Sequence, residues 1–176
     1  MQHLAGPSPP PATERLTFHE MKLDDLDDMH ELLSDAMVMR FYDRPRTRHE
    51  ARRWIEWNRR LYAERGYGLW LLRLRETGEF VGDCGLTPQQ VDGRRYVEVG
   101  YHVLTSMQGR GLATEAAEAC KRYAAEVLEL DHLVAIIEPA NKPSQRVAAK
   151  IGLAPAWRTV TSSQGRPCVI YAGDPR

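Results

Sequence analysis

The sequence predicts an α+β fold: a mixed, mostly antiparallel central sheet with helices on both faces and one parallel strand pair at its centre. Three observations carry this. Gly68–Arg75, Glu79–Leu86 and Tyr96–Val103 read as consecutive strands, and Val91-Asp-Gly-Arg94 before the last is an Asp-Gly hairpin signal. Behind them, Leu112, Ala113, Ala116, Ala117, Cys120, Ala124, Val127 and Leu128 recur at helical spacing, with Glu115, Glu118, Arg122 and Glu126 opposite. Leu133–Ile137 is then a short apolar strand, and a helical crossover makes it parallel to the strand before the helix.

The remaining elements follow in order. The N-terminal stretch through residue 12 is Pro-rich, has no apolar h-region, and is expected to be a disordered tail before a single domain over residues 13–176. Arg15–Met21 alternates Leu16 and Phe18 against Thr17 and His19, as a first strand does. Asp24–Asp28 opens a helix with Leu26, Met29, Leu32 and Leu33 inward, its carboxylates suiting the helix dipole. Thr47 and Glu50 form a capping box for a second helix carrying Ala51, Trp54, Ile55, Asn58, Leu61 and Tyr62. Between those helices, residues 36–46 hold Met37, Met39, Phe41 and Tyr42, which serve either loop packing or a substrate wall. Glu76-Thr77-Gly78 separates the first two meander strands. Pro143 starts a last helix with Val147, Ala148 and Ile151 inward, and Gly152 ends it. Trp157–Thr161 and Cys168–Tyr171 make a hairpin around Ser162–Arg166.

Composition narrows the function classes. Lys+Arg and Asp+Glu both number 24 in 176 residues, so no global charge draws the chain to nucleic acid or an anionic membrane. No apolar run approaches the roughly 20 residues of a membrane span. Cys84, Cys120 and Cys168 form no Cys-x-x-Cys pair and read as small core residues, not disulfides or zinc ligands. A cytoplasmic location is expected. His19, His102 and His132 are scattered, and no metal is expected.

The chemistry concentrates at residues 96–125, a strand, a glycine turn and an amphipathic helix. A helix N-terminus leaves about four backbone N–H groups without partners and carries roughly half a positive charge. Gly109 and Gly111 keep side chains away from those donors, Ala113 permits close approach, and Thr114 adds a hydroxyl. This is either a pyrophosphate cradle or a turn that packs and binds nothing. No Lys-Ser/Thr pair follows the second glycine, which removes a Walker loop, and the three spaced glycines of a dinucleotide fingerprint are absent.

Gln108-x-x-Gly111-x-Ala113 resembles the acyl-CoA pyrophosphate loop of the GNAT N-acetyltransferase superfamily. EVGYHV before it and GLATEA after it are similar to the RimJ/RimL-type branch, which acetylates amino groups of proteins and small molecules. The resemblance spans about Thr13 to Tyr171 and matches the order of elements. A second match is Asn141-x-x-Ser144 followed by Lys150-x-Gly152-Leu153, although an aromatic residue usually follows that glycine.

The resemblance implies a GNAT-like sheet whose parallel pair splays, with acetyl-CoA as co-substrate. Pyrophosphate would lie on residues 108–114, counting Gln108, Gly109, Arg110, Gly111, Ala113 and Thr114. Pantetheine would pair with backbone groups near His102 and Val103, and hydrogen-bond Asn141. Arg110 is either a phosphate contact or a solvated loop charge. Acetyl transfer needs a neutral amine, a stabilised oxyanion and a departing thiolate. Glu98, on the strand carrying the co-substrate, is the first candidate base, with an exposed partner for an arginine as its other reading; Asp83 is the second candidate. A backbone N–H near Val103 would stabilise the oxyanion. Many family members carry a Tyr acid seven residues after the Asn, but Ala148 stands there. Ser144 matches the serine implicated in the RimJ/RimL-type branch, and is otherwise a helix cap. A thiol of pKa roughly 8.5 leaves without strong acid help.

The sequence therefore reads as an acetyl-CoA-dependent N-acetyltransferase acting on a primary amine by direct attack. No Cys sits near the turn with a His-Asp partner, which argues against a covalent intermediate. The alternatives are a non-catalytic acyl-CoA-sensing module and a nucleotide-using enzyme. A protein N-terminus, a polyamine and an aminoglycoside stay open as acceptors. Trp57 and Tyr67, expected to be exposed, suit a pocket wall or a homodimer contact.

Overall fold

The Asp92-Gly93 turn sets the register of the sheet. Both residues take positive φ, 50° and 77°, so Val91 pairs directly with Arg94 across a two-residue hairpin. The computed structural model describes residues 8–161 and 165–176. Its elements are β1 (Leu16–His19), α1 (Leu26–Ser34), α2 (Arg48–Arg65), β2 (Leu69–Leu74), β3 (Phe80–Val91), β4 (Arg94–Val103), α3 (Leu112–Glu126), β5 (Leu133–Ile137), α4 (Lys142–Lys150), β6 (Ala154–Val160) and β7 (Pro167–Gly173). The strands form one seven-stranded sheet in the order β1-β2-β3-β4-β5-β7-β6. Every neighbouring pair is antiparallel except β4–β5.

Helices cover both faces. On β3, Asp83 accepts from Trp54 of α2, while the next residue, Cys84, meets Cys120 of α3 on the other side. The capping box of α2 is present as expected: Thr47 Oγ1 accepts from Glu50 N–H, and Glu50 Oε2 accepts from Thr47 N–H. Such a box contributes on the order of 1 kcal/mol. Leu16, Phe18, Met29, Leu32, Leu33, Ala116, Ala117, Cys120 and Ala124 are buried as the periodicity predicts.

Several expectations are corrected. β3 runs on to Val91 instead of stopping at Leu86, because the tight turn keeps polar Thr87, Gln89 and Gln90 in the ladder. α3 stops at Glu126, so Val127, expected inward, is 48% exposed, while Leu128 still packs against the core. Asp24 and Asp25 lie in a 3-10 turn before α1. Tyr67, expected to be exposed, is buried. The cysteines are free buried thiols, as expected, but Cys84 and Cys120 stand 3.6 Å apart across the sheet–helix interface. Of the expected tail, residues 1–7 lie outside the described residues, and Pro10 is buried. The turn expected around 162–166 lies partly outside them, at 162–164. No helix among the described residues is long and apolar enough to cross a membrane.

Candidate functional site

β4 and β5 run together for only one paired position, Glu98 with Val134, and then diverge. The peptide groups of a strand turn to its two edges alternately. Leu104 N–H donates to Val81 O on β3, so the Val103 N–H turns to the opening beside β5. By the same alternation the backbone of His102, paired with Asp83, belongs to the β3 ladder. The expected pantetheine-type contact thus fits Val103 but not the His102 backbone, whose position contributes a side chain instead.

This opening is part of a cavity of about 820 Å³ lined by residues from β4, β5, α2, α3, α4 and the residue 36–46 loop. Gln108, Gly109, Gly111, Ala113, Thr114, Asn141 and Ser144 all line it, with Glu98, His102 and Val103. Gly111 is the N-cap of α3 at φ 77°, and no side chain caps the helix. Gly109, at φ 75°, has open space where a Cβ would point. The first N–H groups of α3 are left facing the cavity, a geometry suited to an anion. Gln108 Nε2 donates to Val103 O at 3.0 Å and braces the turn. Arg110 is not among the residues that line the cavity, and its guanidinium lies 3.0 Å from Met107 Sδ. Its carbonyl accepts from Arg15, which is also ion-paired to Glu115 at 2.7 Å. Arg15 puts a cation beside the turn that sequence spacing did not reveal.

Asn141 caps α4, its Oδ1 accepting from Ser144 N–H at 3.2 Å. Ser144 is therefore the capped residue and not the cap. Its Oγ donates to Tyr101 Oη at 3.0 Å, and Tyr101 O–H donates to Ser144 O at 2.8 Å. Ala148 is fully buried, so the hydroxyls at this wall come from Tyr101 and Ser144. Burial raises the Tyr101 phenol above its ordinary range, against the opposing Ser144 hydrogen bond.

The other face of β4 carries Glu98, Gly100 and His102. Glu98 accepts from Gln89 Nε2 at 2.8 Å, Ile136 N–H at 3.3 Å and Thr87 Oγ1 at 3.4 Å. Its hydrogen bond to Ile136 crosses the divergence of β4 and β5. Desolvation raises its pKa from 4.5 to about 7, against hydrogen bonds that favour the carboxylate. The arginine partner considered for it is absent among the described residues.

Asp83 forms a network that no local spacing signalled. Its Oδ1 lies 2.7 Å from His102 Nδ1, its Oδ2 accepts from Trp54 Nε1 at 3.1 Å, and His102 Nε2 lies 2.6 Å from Tyr42 Oη. Burial opposes a charge on His102, but the Asp83 carboxylate and the hydrogen bonds to Asp83 and Tyr42 outweigh it and hold its pKa above the ordinary imidazole range. Asp83, fully buried and committed to His102 and Trp54, does not line the cavity and drops behind Glu98 as a base. Phe41, Tyr42, Trp54 and Trp57 form an aromatic wall, so the 36–46 loop is a pocket wall as well as packing. Arg166 holds that loop down, donating to Phe41 O at 2.9 Å and pairing with Glu138 at 2.6 Å.

A glycine-led helix terminus, an opened parallel pair and a carboxyl near neutrality in one cavity suit acyl transfer from a phosphorylated carrier. The acetyltransferase (GNAT) domain family matches residues 15–154. The chain belongs to the GNAT family and is an acetyltransferase. It is 38% identical to the uncharacterized protein YkkB of Bacillus subtilis (strain 168) over 142 residues, 80% of each chain. Its fold matches an acetyltransferase from Agrobacterium tumefaciens str. C58 with a TM-score of 0.79 at 25% identity, covering 98% of both chains. RimL, a ribosomal alpha-N-protein acetyltransferase solved in complex with coenzyme A, shares the fold at 17% identity with a TM-score of 0.74, covering 94% of this chain and 97% of its own.

Proposed function

We propose that this GNAT enzyme is an acetyl-CoA-dependent N-acetyltransferase of the RimJ/RimL type, moving an acetyl group to a primary amine by direct attack. The supporting observation is the shared cavity: an uncapped, glycine-led α3 terminus and the open β4 edge lie together with Glu98. RimL, bound to coenzyme A, supports the co-substrate. Three free thiols suit a reducing compartment, and we place the protein in the cytoplasm.

Acetyl-CoA, when bound, supplies the thioester carbonyl that the amine attacks and the thiolate that leaves. Gln108, Gly109, Gly111, Ala113 and Thr114 hold its pyrophosphate, with Asn141 on the pantetheine. Asn141 Oδ1 is engaged by Ser144 N–H, which leaves its amide N–H₂ as the group to offer. Glu98, ionised about half the time at pH 7, takes the ammonium proton so that nitrogen can attack. The free Val103 N–H lies along the edge where an oxyanion needs a donor. Ser144 Oγ–H, turned from its Tyr101 contact, gives its proton to the departing sulfur and takes the second amine proton in its place. Two protons leave the nitrogen, one ends on sulfur, and one passes through Glu98 to solvent.

The test is CoA-thiol release from acetyl-CoA against peptides with varied first residues, polyamines and amino sugars, with an enzyme-only control for the protein's thiols. Release with any amine, abolished by Glu98→Gln, supports the reading. Acetyl-CoA binding without release from any amine would assign the chain to sensing instead.

A further inference from the structure

The Asp83–His102–Tyr42 network lies outside the steps above, yet it ends at the cavity. The Asp83 carboxylate, 2.7 Å from Nδ1, favours a doubly protonated His102, in which Nδ1–H donates to Asp83 and Nε2–H donates to Tyr42 Oη 2.6 Å away. Tyr42 then spends its oxygen on accepting, and its own proton must point elsewhere. Among the described residues no acceptor takes it, and Tyr42 lines the cavity at 38% exposed. The site thus presents a phenol donor backed by a buried cation. Its surroundings are also cationic. Arg40, Arg46 and Arg166 line the same cavity on this side, against Glu98 and Glu138. Arg46 is paired with Asp43 and Arg166 with Glu138, but Arg40 has no carboxylate partner among the described residues. Arg40 is anchored over the Phe41 ring at 4.7 Å and hydrogen-bonded to Met37 O.

We propose that the acceptor is an amine that also carries an anionic group, which the Tyr42 hydroxyl and the Arg40 guanidinium bind while Glu98 receives the amine proton. This rests on the N-acetyltransferase reading. Glu98 and His102 stand four residues apart on one face, roughly 13 Å along the strand. An acceptor bridging the two ends therefore has its anion several bonds from the amine. A polycation is disfavoured by Arg40, unpaired among the described residues, while the aromatic wall of Phe41, Trp54 and Trp57 accommodates an apolar linker.

The experiment compares matched pairs: γ-aminobutyrate against γ-aminobutyramide, and ε-aminocaproate against its amide, with spermidine as the polycation. The expected kcat/KM is at least tenfold higher for each acid than for its amide, with spermidine slowest. A charge-assisted hydrogen bond is of that size. Tyr42→Phe should lower the acid-to-amide ratio about tenfold, and Arg40→Gln should lower it independently. Equal rates for acids and amides, or a Tyr42→Phe loss shared equally by both, would overturn the assignment. If no amine is turned over, the transferase reading fails, but the anion site is still read by thermal protection. A rise in Tm with ε-aminocaproate and not its amide, lost in Tyr42→Phe, would keep the site; no such difference would remove it.

Discussion

Along β4, the edge that looks toward β5 and the face that looks toward α2 are assembled by different routes. The edge joins a contiguous run, Val103 through Thr114, in which strand end, turn and helix start follow one another in the chain. The face gathers Tyr42 from a loop, Trp54 from α2, Asp83 from β3 and His102 from β4. The first is a backbone site, made of φ values and free N–H groups. The second is a side-chain site, made of proton positions in a desolvated pocket. The proposed division follows: the edge holds the acyl donor and the face handles the amine. A variant on one side should therefore leave the other side's measurement unmoved.

The largest separation is expected from Glu98→Gln. Loss of the proton acceptor should lower kcat/KM by about 10²-fold or more, while acetyl-CoA affinity measured by calorimetry stays within about twofold. A large loss of affinity would instead make Glu98 a strut that keeps β5 off β4 through Ile136. In the wild type, kcat/KM should rise with pH through a limb near 7, the value to which burial raises Glu98. The same shift has a stability consequence. A carboxyl raised from 4.5 to about 7 favours the folded state fully below pH 4.5, and that contribution is lost as pH rises through 7. The shift corresponds to about 3 kcal/mol. His102 also loses its contribution as pH rises above the ordinary imidazole range, in both proteins. The difference between wild type and Glu98→Gln isolates Glu98: between pH 5 and pH 8 the variant should gain about 2 kcal/mol relative to wild type in denaturant unfolding. A flat difference would mean that the carboxylate is not desolvated.

On the edge, Gly111→Val is the complementary break. A β-branched residue at φ 77° costs roughly 1–3 kcal/mol of strain and moves the first N–H groups of α3. Acetyl-CoA affinity should weaken about tenfold or more, with the limb near pH 7 unchanged in position. Movement of that limb would show that the two sides are coupled.

The same contrast explains what the sequence made legible. Glycine spacing, the Asp-Gly turn and the period of α3 are local, so the edge, the meander and the parallel pair could be read directly from the chain, whereas the place of β7 between β5 and β6 could not. Glu98 was legible as a residue on the right strand, but not its bonds to Gln89 and Ile136, because β3 was expected to stop before Gln89. Tyr42 sat in a stretch that could only be described as aromatic, and its partner His102 is 60 residues away. Such a pair exists only once β4 and the loop have been brought together. Arg15 was missed for the same reason, since its carboxylate partner Glu115 is 100 positions on. One signal was available for Tyr101: alternation along β4 sets it with Val97, Val99 and Val103, away from Glu98 and toward α4.

The smallest effect is expected at Tyr101 and Ser144, where edge and leaving group meet. The Ser144 hydroxyl donates to Tyr101, and Tyr101 donates to the Ser144 carbonyl, so removing either oxygen leaves the other with solvent or the departing sulfur as partner. A thiolate of pKa roughly 8.5 departs with modest help. Ser144→Ala should therefore lower kcat only two- to tenfold, with the capping bond from Ser144 N–H to Asn141 retained because it uses the backbone. Tyr101→Phe should act on the same step, so that the double variant is hardly slower than the slower single one. An additive loss would assign the two hydroxyls separate tasks. A kcat loss approaching that of Glu98→Gln would make thiolate departure, rather than amine deprotonation, the step on which the site is built.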